Sequence, residues 1–515
     1  MLTIISSPQP YSLSRHPVIY KMTSNKLITT AGVKAVVELQ FSDVAEENEY
    51  FTLTWNNLSV TFTCKQTPDD SGKQFADNSG GATLNNWVDL ASSYLRKNYL
   101  LSTDFTIEWN ASNKIIITAR KTGVEYSLTV DNNIADMTMP TNTAGITEVR
   151  PPNFKAITEI FIPNTNADDI TTATKRITLE ADPDEKNPAQ FKFDLSAALH
   201  AHLSPDIPAY NQTAFSLANK IINKYYIRYG EQYGDESEVK IMTVAASKTF
   251  LLAGASYQEF PTHNNLITGY LATNKKFLSW QPIEKTIAKE QQEYLYFLNQ
   301  GSPTQIGMKV VMTKKDGSTT TYVPIPTLIN SPVTNAVYIF PATYRNSWGY
   351  NINDLKSYEI TLINQALTPI SETIKYTIET RAFENQRYFL FQNSLGGMDT
   401  LRATGIAELG WDLQIQNAEQ TLADDYAVTD GQIIQVNSSV QDTMKLSTGF
   451  YSKDYILYLK DFLLSKTRYE ILNDKFLPIT IDSKKIKILE DKQNLFALNF
   501  EYDYANKDES FTPKL

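Results

Sequence analysis

Cysteine is almost absent: Cys64 is the only one in 515 residues. A lone cysteine excludes a disulfide framework within the chain and a cysteine-based metal site. It alternates with Phe62 in VTFTCK, which makes it a small buried side chain. Histidine is nearly as scarce, with four in the chain. His200 and His202, in ALHAHL, are the pair that a strand would point together towards a metal, with Asp194 and Asp206 near in sequence. No third ligand falls at a motif spacing, so a solvated pair is the simpler reading and no metal or cofactor is expected. No Ser-His-Asp arrangement can be assigned, and Cys-His catalysis would need Cys64 exposed. The acidic clusters Asp69-Asp70, DPDEK (182–186), DESE (235–238) and Asp424-Asp425 lack the spacing of a calcium loop and read as solvated turns.

Basic charge is also short, with 47 Lys and Arg against 57 Asp and Glu, a net charge of −10. A nucleic-acid partner needs a basic face to neutralise phosphates. Clusters such as Lys484, Lys485 and Lys487 are too small and diluted to make one. Apolar runs stop well short of the roughly 20 residues of a spanning helix, so membrane insertion is not expected. The opening MLTIISSPQPYSLSRHP has no basic region leading into an apolar core and does not read as a signal peptide. Synthesis in a cytoplasm follows as an expectation.

What the chain does have is aromatic and polar strand-forming residues, including 29 Tyr and 24 Phe. These fit pleated, half-buried surfaces. The fold class is mainly β with minor α (all-β or α+β), in several β-sandwich-like modules. Four units are expected: 1–148, 155–253, 254–380 and 381–515. The first and last each carry one amphipathic helix. In the first, FTLTWNNLSVTFTCK alternates on both sides of Asn56-Asn57, a hairpin signal, and Thr122-Gly123 is read as turning between two further strands. Trp87, Leu90, Ala91, Tyr94 and Leu95 share a helical face. TEVRPPNF reads as a linker. In the third, KFLSWQP is read among the strands and Asp316-Gly317 as a hairpin turn. In the last, Tyr455, Leu459, Phe462 and Leu463 share a helical face, and FLPITI, KIKILE and LFALNFEYDY read as closing strands.

Two places carry more than architecture. RYFLFQNSLGGMDTLRATG holds Gly396 and Gly397 between apolar stretches. A phosphate loop would need a following helix, and MDTLRAT is a poor one. The glycines therefore read as a turn that lets the backbone reverse or another chain approach closely. Most of the six tryptophans, Trp411 among them, lie in strand patterns and read as core. Trp348 stands apart, in the polar loop YRNSWGYN with Tyr344 and Tyr350. Those three rings are candidates for an interface or a glycan contact.

The phrases SPQPYSLSRHPVIYKM, LSWQP, EYLYFLN, YFLFQNSLGGMDTLRATG and LFALNFEYDYA together resemble tail-associated virion structural proteins of tailed phages and prophages of Bacteroidetes hosts. The resemblance implies a distal-tail or baseplate component, built of β-sandwich modules, that assembles as a homo-oligomeric ring with other virion tail proteins. It implies location in the virion after synthesis in the host cytoplasm, and no enzymatic role. The terminal strand LNFEYDY is expected to be free to extend a neighbour's sheet. Two other readings stay open: an adhesion module for host-surface glycan built on the Trp348 loop, and a virion-borne polysaccharide hydrolase with two convergent carboxylates.

Overall fold

A computed structural model describes residues 2–26, 30–69, 71–77, 81–149, 151–166, 168–183, 190–234, 242–260, 265–323, 329–481 and 495–510. The segment KIKILE, most of DPDEK, all of DESE, Asp70, His263 and the lysines at 484, 485 and 487 lie outside them. Strands account for 48% of the chain and helical segments for 12%, so the architecture is mainly β with minor α.

Residues 30–149 form a sandwich of two four-stranded sheets. In KAVVELQF every second residue is buried, the period that a sheet with one covered face imposes. Val37 and Leu39 of one sheet meet Leu53 and Phe62 of the other, and the helix Leu84–Lys97 closes the core with Trp87, Ala91 and Leu95. Asn56 and Asn57 both take positive φ and join Trp55 to Leu58 in a two-residue hairpin. Thr122-Gly123 makes no hairpin. A 3-10 turn, Val124–Tyr126, follows it, and the strand Thr129–Asn132 leaves to pair with Tyr50–Trp55 in the opposite sheet.

The first 24 residues, grouped with this sandwich on sequence grounds, pair elsewhere. Leu2–Ser6 and Ile19–Ser24 share a sheet with Gln190–Asp194, and Tyr11–Leu13 runs parallel to Lys248–Leu251. Leu2, Tyr20 and Met22 enter one core with Ile160, Phe191, Tyr225 and Phe250. The sandwich is thus inserted into the second unit. Its neck is made by the bridges Thr30↔Val149 and Val33↔Ile146.

In the third unit Tyr294–Asn299 and Ala336–Pro341 form one layer, with Ser216–Leu217 at its edge. The facing layer holds Gln305–Lys314, Leu355–Asn364 and Pro369–Ile378, and Phe297 and Phe340 meet Met308, Ile360 and Tyr376 between them. Asp316-Gly317 turns the expected hairpin. KFLSWQP is not a strand. Its backbone serves irregular partners: Leu278 N–H donates to Tyr296 O, and Leu278 O accepts from Asn393 Nδ2. The strand begins at Glu284.

The last unit is a seven-stranded sheet in the order Met398–Ala403, Arg387–Gln392, Arg468–Leu472, Lys475–Ile481, Asn499–Tyr504, Ile433–Ser447, Ala407–Glu419. Two short helices, Lys453–Tyr458 and Lys460–Leu464, cover it with Tyr455, Leu459 and Phe462. The terminal strand is not free, contrary to the sequence expectation. Asn499–Tyr504 is bonded on both sides, to Ile433–Ser447 and to Lys475–Ile481, so its hydrogen-bonding groups are already used.

A buried polar knot joins the third and fourth units. Lys285 and Glu293 are each 1% exposed and lie 2.9 Å apart. Lys285 Nζ also donates to the Thr400 carbonyl at 2.7 Å, and the Thr400 hydroxyl donates to Glu293 at 2.5 Å. Gln291 Nε2 donates to Glu293 at 2.6 Å. Beside it, Asp399 accepts from Ser279 and Tyr458 at 2.7 and 2.6 Å, while burial pushes its carboxyl pKa up. Removing one partner of a buried pair strands the other charge. Lys285→Met is therefore expected to cost about 3–5 kcal/mol in urea unfolding, and adding Glu293→Leu is expected to recover most of it. A Lys285→Met chain as stable as the parent would show that the knot does not hold the units together.

Candidate functional site

The Gly-Gly run is a hairpin, paired from Arg387↔Ala403 to Gln392↔Met398. A strand follows the glycines, so no helix start presents free N–H groups to an anion. Gly396 has φ +92°, and a Cβ there would lie 2.6 Å from Leu252 O. A Cβ on Gly397 would lie 2.7 Å from Leu278 O. Both glycines are close-approach points, and what approaches is this chain's own second and third units.

Trp348, Tyr344 and Tyr350 do come together, but as core. Trp348 is 5% exposed, and Tyr344 meets its ring edge-on at 5.3 Å. The 3-10 turn Asn346–Trp348 tucks the indole under the loop. The Tyr344 hydroxyl donates to Tyr350 O at 2.9 Å. Tyr350 remains partly open, with the Lys314 ammonium 3.9 Å from its ring centre. An exposed aromatic platform is therefore not present here. His200 and His202 lie on and just after the helix Ser196–His200 instead of on a strand. His200 Nδ1 is 3.0 Å from Ser14 Oγ, and burial lowers the pKa of both imidazoles. No three His, Cys, Asp or Glu side chains gather as a cation site among the described residues. Cys64 is buried against Ala45 O, and burial pushes its thiol up to about 12.

Trp411 is among the exposed aromatics, at 76%. It sits on a long ribbon, Ala407–Glu419 paired with Ile433–Ser447 over Ala407↔Leu446 to Glu419↔Ile433. Leu409, Trp411, Leu413 and Ile415 alternate along one strand, so they share one face, and all four are exposed. Among the described residues only Thr443–Ser447 gain a further strand neighbour, with one bridge at Val440↔Asp508. Outboard of these contacts the ribbon has no third strand among the described residues. A two-stranded ribbon alone is marginal in water, and a long apolar edge invites pairing. Sequence reasoning read Trp411 as core because alternation marks an apolar face without saying what covers it.

A second feature has no motif behind it. A cavity of about 690 Å3 opens between the turn at Arg15 and His16, a π-helical turn Leu266–Leu271, Trp280 and the helices at Lys453–Leu464. π-turns are rare and collect at functional places. Trp280 Nε1 donates to Ser394 Oγ at 2.9 Å, and Ser394 N–H donates to Asp461 at 2.9 Å. The glycine turn therefore carries one wall of the cavity. Burial is the main cause that pushes the Asp461 carboxyl up, to about 6, with Asp399 adding and Ser394 and Arg15 opposing. His16 stacks on Phe260 at 3.9 Å, and its Nδ1 is buried without a hydrogen-bond partner among the described residues.

No protein-family model and no curated protein matches the chain. Among the described residues no helix is long and apolar enough to cross a membrane.

Two outcomes follow from these placements. Trp348→Ala is expected to lose about 3–5 kcal/mol of stability, the cost of emptying a core site, read by chemical denaturation. Asp461 has a folded pKa above the unfolded 3.8, so its contribution is present at low pH and lost as pH rises through about 6. Asp461→Asn keeps an acceptor for Ser394. Its stability relative to the parent is expected to rise by about 2.5 kcal/mol between pH 4 and 7.5. A pH-independent difference would mean that Asp461 is ordinary.

Proposed function

We propose that this chain is a non-enzymatic structural subunit that works by assembly, with its ribbon at 407–447 packed on a neighbouring copy. The observation that carries this reading is the row Leu409, Trp411, Leu413 and Ile415, presented to solvent on a ribbon that nothing covers among the described residues. Contiguous exposed apolar surface of this kind marks interaction sites. The resemblance to phage tail proteins supplies the setting: a virion tail part, made in the host cytoplasm, that forms a ring with copies of itself and with other tail proteins. The adhesion reading loses the support it had in the Trp348 loop, whose rings fill a core.

The test is light scattering of the purified chain across a concentration series. The parent is expected to form a discrete oligomer. Trp411→Thr with Leu413→Thr keeps strand-forming residues and is expected to weaken association at least tenfold, with folding stability unchanged within about 0.5 kcal/mol. A parent that stays monomeric at its solubility limit, or a variant that assembles like the parent, overturns the reading.

A further inference from the structure

We propose that the open edge of Ala407–Glu419 pairs antiparallel with the same edge of a second copy, about a two-fold axis at Leu413. This rests on the assembly reading and names the contact through which it works. The seven-stranded sheet ends at Met398–Ala403, which is buried throughout, and at Ala407–Glu419, which is exposed over nearly all its length. Edge-to-edge pairing between copies must therefore use the same edge twice, and a self-paired edge is two-fold and antiparallel. The backbone is set for it. Val440 lies opposite Leu413, yet it exchanges its N–H and C=O with Asp508 on the other side of its strand. Leu413 and Val440 are thus a non-hydrogen-bonded pair, and the backbone groups of Leu413 point out to the open edge. Both ends of the strand agree. Ile406 O accepts from Ser447 N–H, and Gln420 N–H donates to Gln432 O, so even-numbered residues bond inward and odd-numbered ones face outward.

Side chains select the register. The strand has 13 residues, and Leu413 is the middle one. Full overlap about Leu413 sets Leu413 against itself and Trp411 against Ile415 on the apolar face. On the other face Glu408 meets Ala418 and Asp412 meets Gln414, and at the ends Glu419 meets Ala407. No carboxylate stands directly opposite a carboxylate. An axis at Asp412 would oppose that side chain to itself, and an axis at Gly410 would set Glu408 against Asp412. Like charges directly across strands are destabilising. An axis at Trp411 would leave Gln416–Glu419 unpaired, and one at Gln414 would set Leu409 against Glu419. Positive charge stands on the matching face: Lys507 Nζ donates to Gln414 Oε1 at 2.7 Å, and Gln414 is the residue that lies opposite the partner's Asp412. The contact is isologous and closes at two copies, so growth into a ring needs a second surface of a different kind.

Cysteine cross-linking reads the register. Hydrogen-bonded partners across an antiparallel pair lie about 5.5 Å apart at Cα, within disulfide reach. Leu413→Cys is expected to give a covalent dimer under mild oxidation. Trp411→Cys alone is not, because the partner presents Ile415 at that place. Mixed with Ile415→Cys, it is expected to cross-link. Cys64 is buried and stays out of the reaction. Leu413→Pro removes the outward N–H, a change that an edge strand tolerates, and is expected to weaken association at least tenfold. Thermal melts verify that each variant is folded. Three results would place the contact elsewhere while the parent still assembles: Leu413→Cys that does not cross-link, Trp411→Cys that cross-links with itself as readily, or Leu413→Pro that associates like the parent. The edge inference then falls and the assembly reading stands. A parent that never assembles removes both.

Discussion

The Lys285–Glu293 pair sets where the last unit sits. Two charges out of water are tolerated only when their remaining hydrogen-bonding positions are filled. Thr400 and Gln291 fill them, and Thr400 belongs to a different unit from the pair itself. The strand Met398–Ala403 is thereby fixed against Tyr294–Asn299 with little freedom to slide. The neighbouring residue Asp399 then meets Ser279 and Tyr458, and the loop before it is driven down onto Leu252 and Leu278. Only glycine fits at that depth. The floor of the cavity is a by-product of the same constraint, since Ser394 and Tyr458 line it.

Polar order at the centre contrasts with apolar exposure at the rim. The chain puts its satisfied charges inside and leaves Trp411 outside. A ribbon of that composition would be prone to pair with any strand, and its row of carboxylates opposes this.

Local signals in the sequence were legible. Asn56-Asn57 and Asp316-Gly317 turn where residues tolerant of positive φ stand between alternating flanks, and the mainly β composition matches the sheets. What escaped was everything set by distant partners. Residues 2–24 look like part of the first sandwich until Gln190–Asp194 is seen beside them. Trp348 and Trp411 exchange the roles their surroundings suggest. A polar loop hides one indole in a single 3-10 turn, and a regular alternating strand exposes the other because nothing packs over it among the described residues. The cavity left no trace in spacing, because Arg15, Trp280, Ser394 and Asp461 come from four separate stretches.

The inserted sandwich changes how the chain closes on itself. Ile19–Ser24 leaves the ribosome long before its partner Gln190–Asp194 has been made, and domains generally fold as they emerge. The intervening sandwich has its own core and a neck at Thr30↔Val149 that brings its two ends together. Once folded, it replaces a long flexible loop by a short one. The entropy of closing a loop grows with its length, so the waiting N-terminal strands find their partners across a smaller search. The first sandwich is then a clasp in time as well as a module in space.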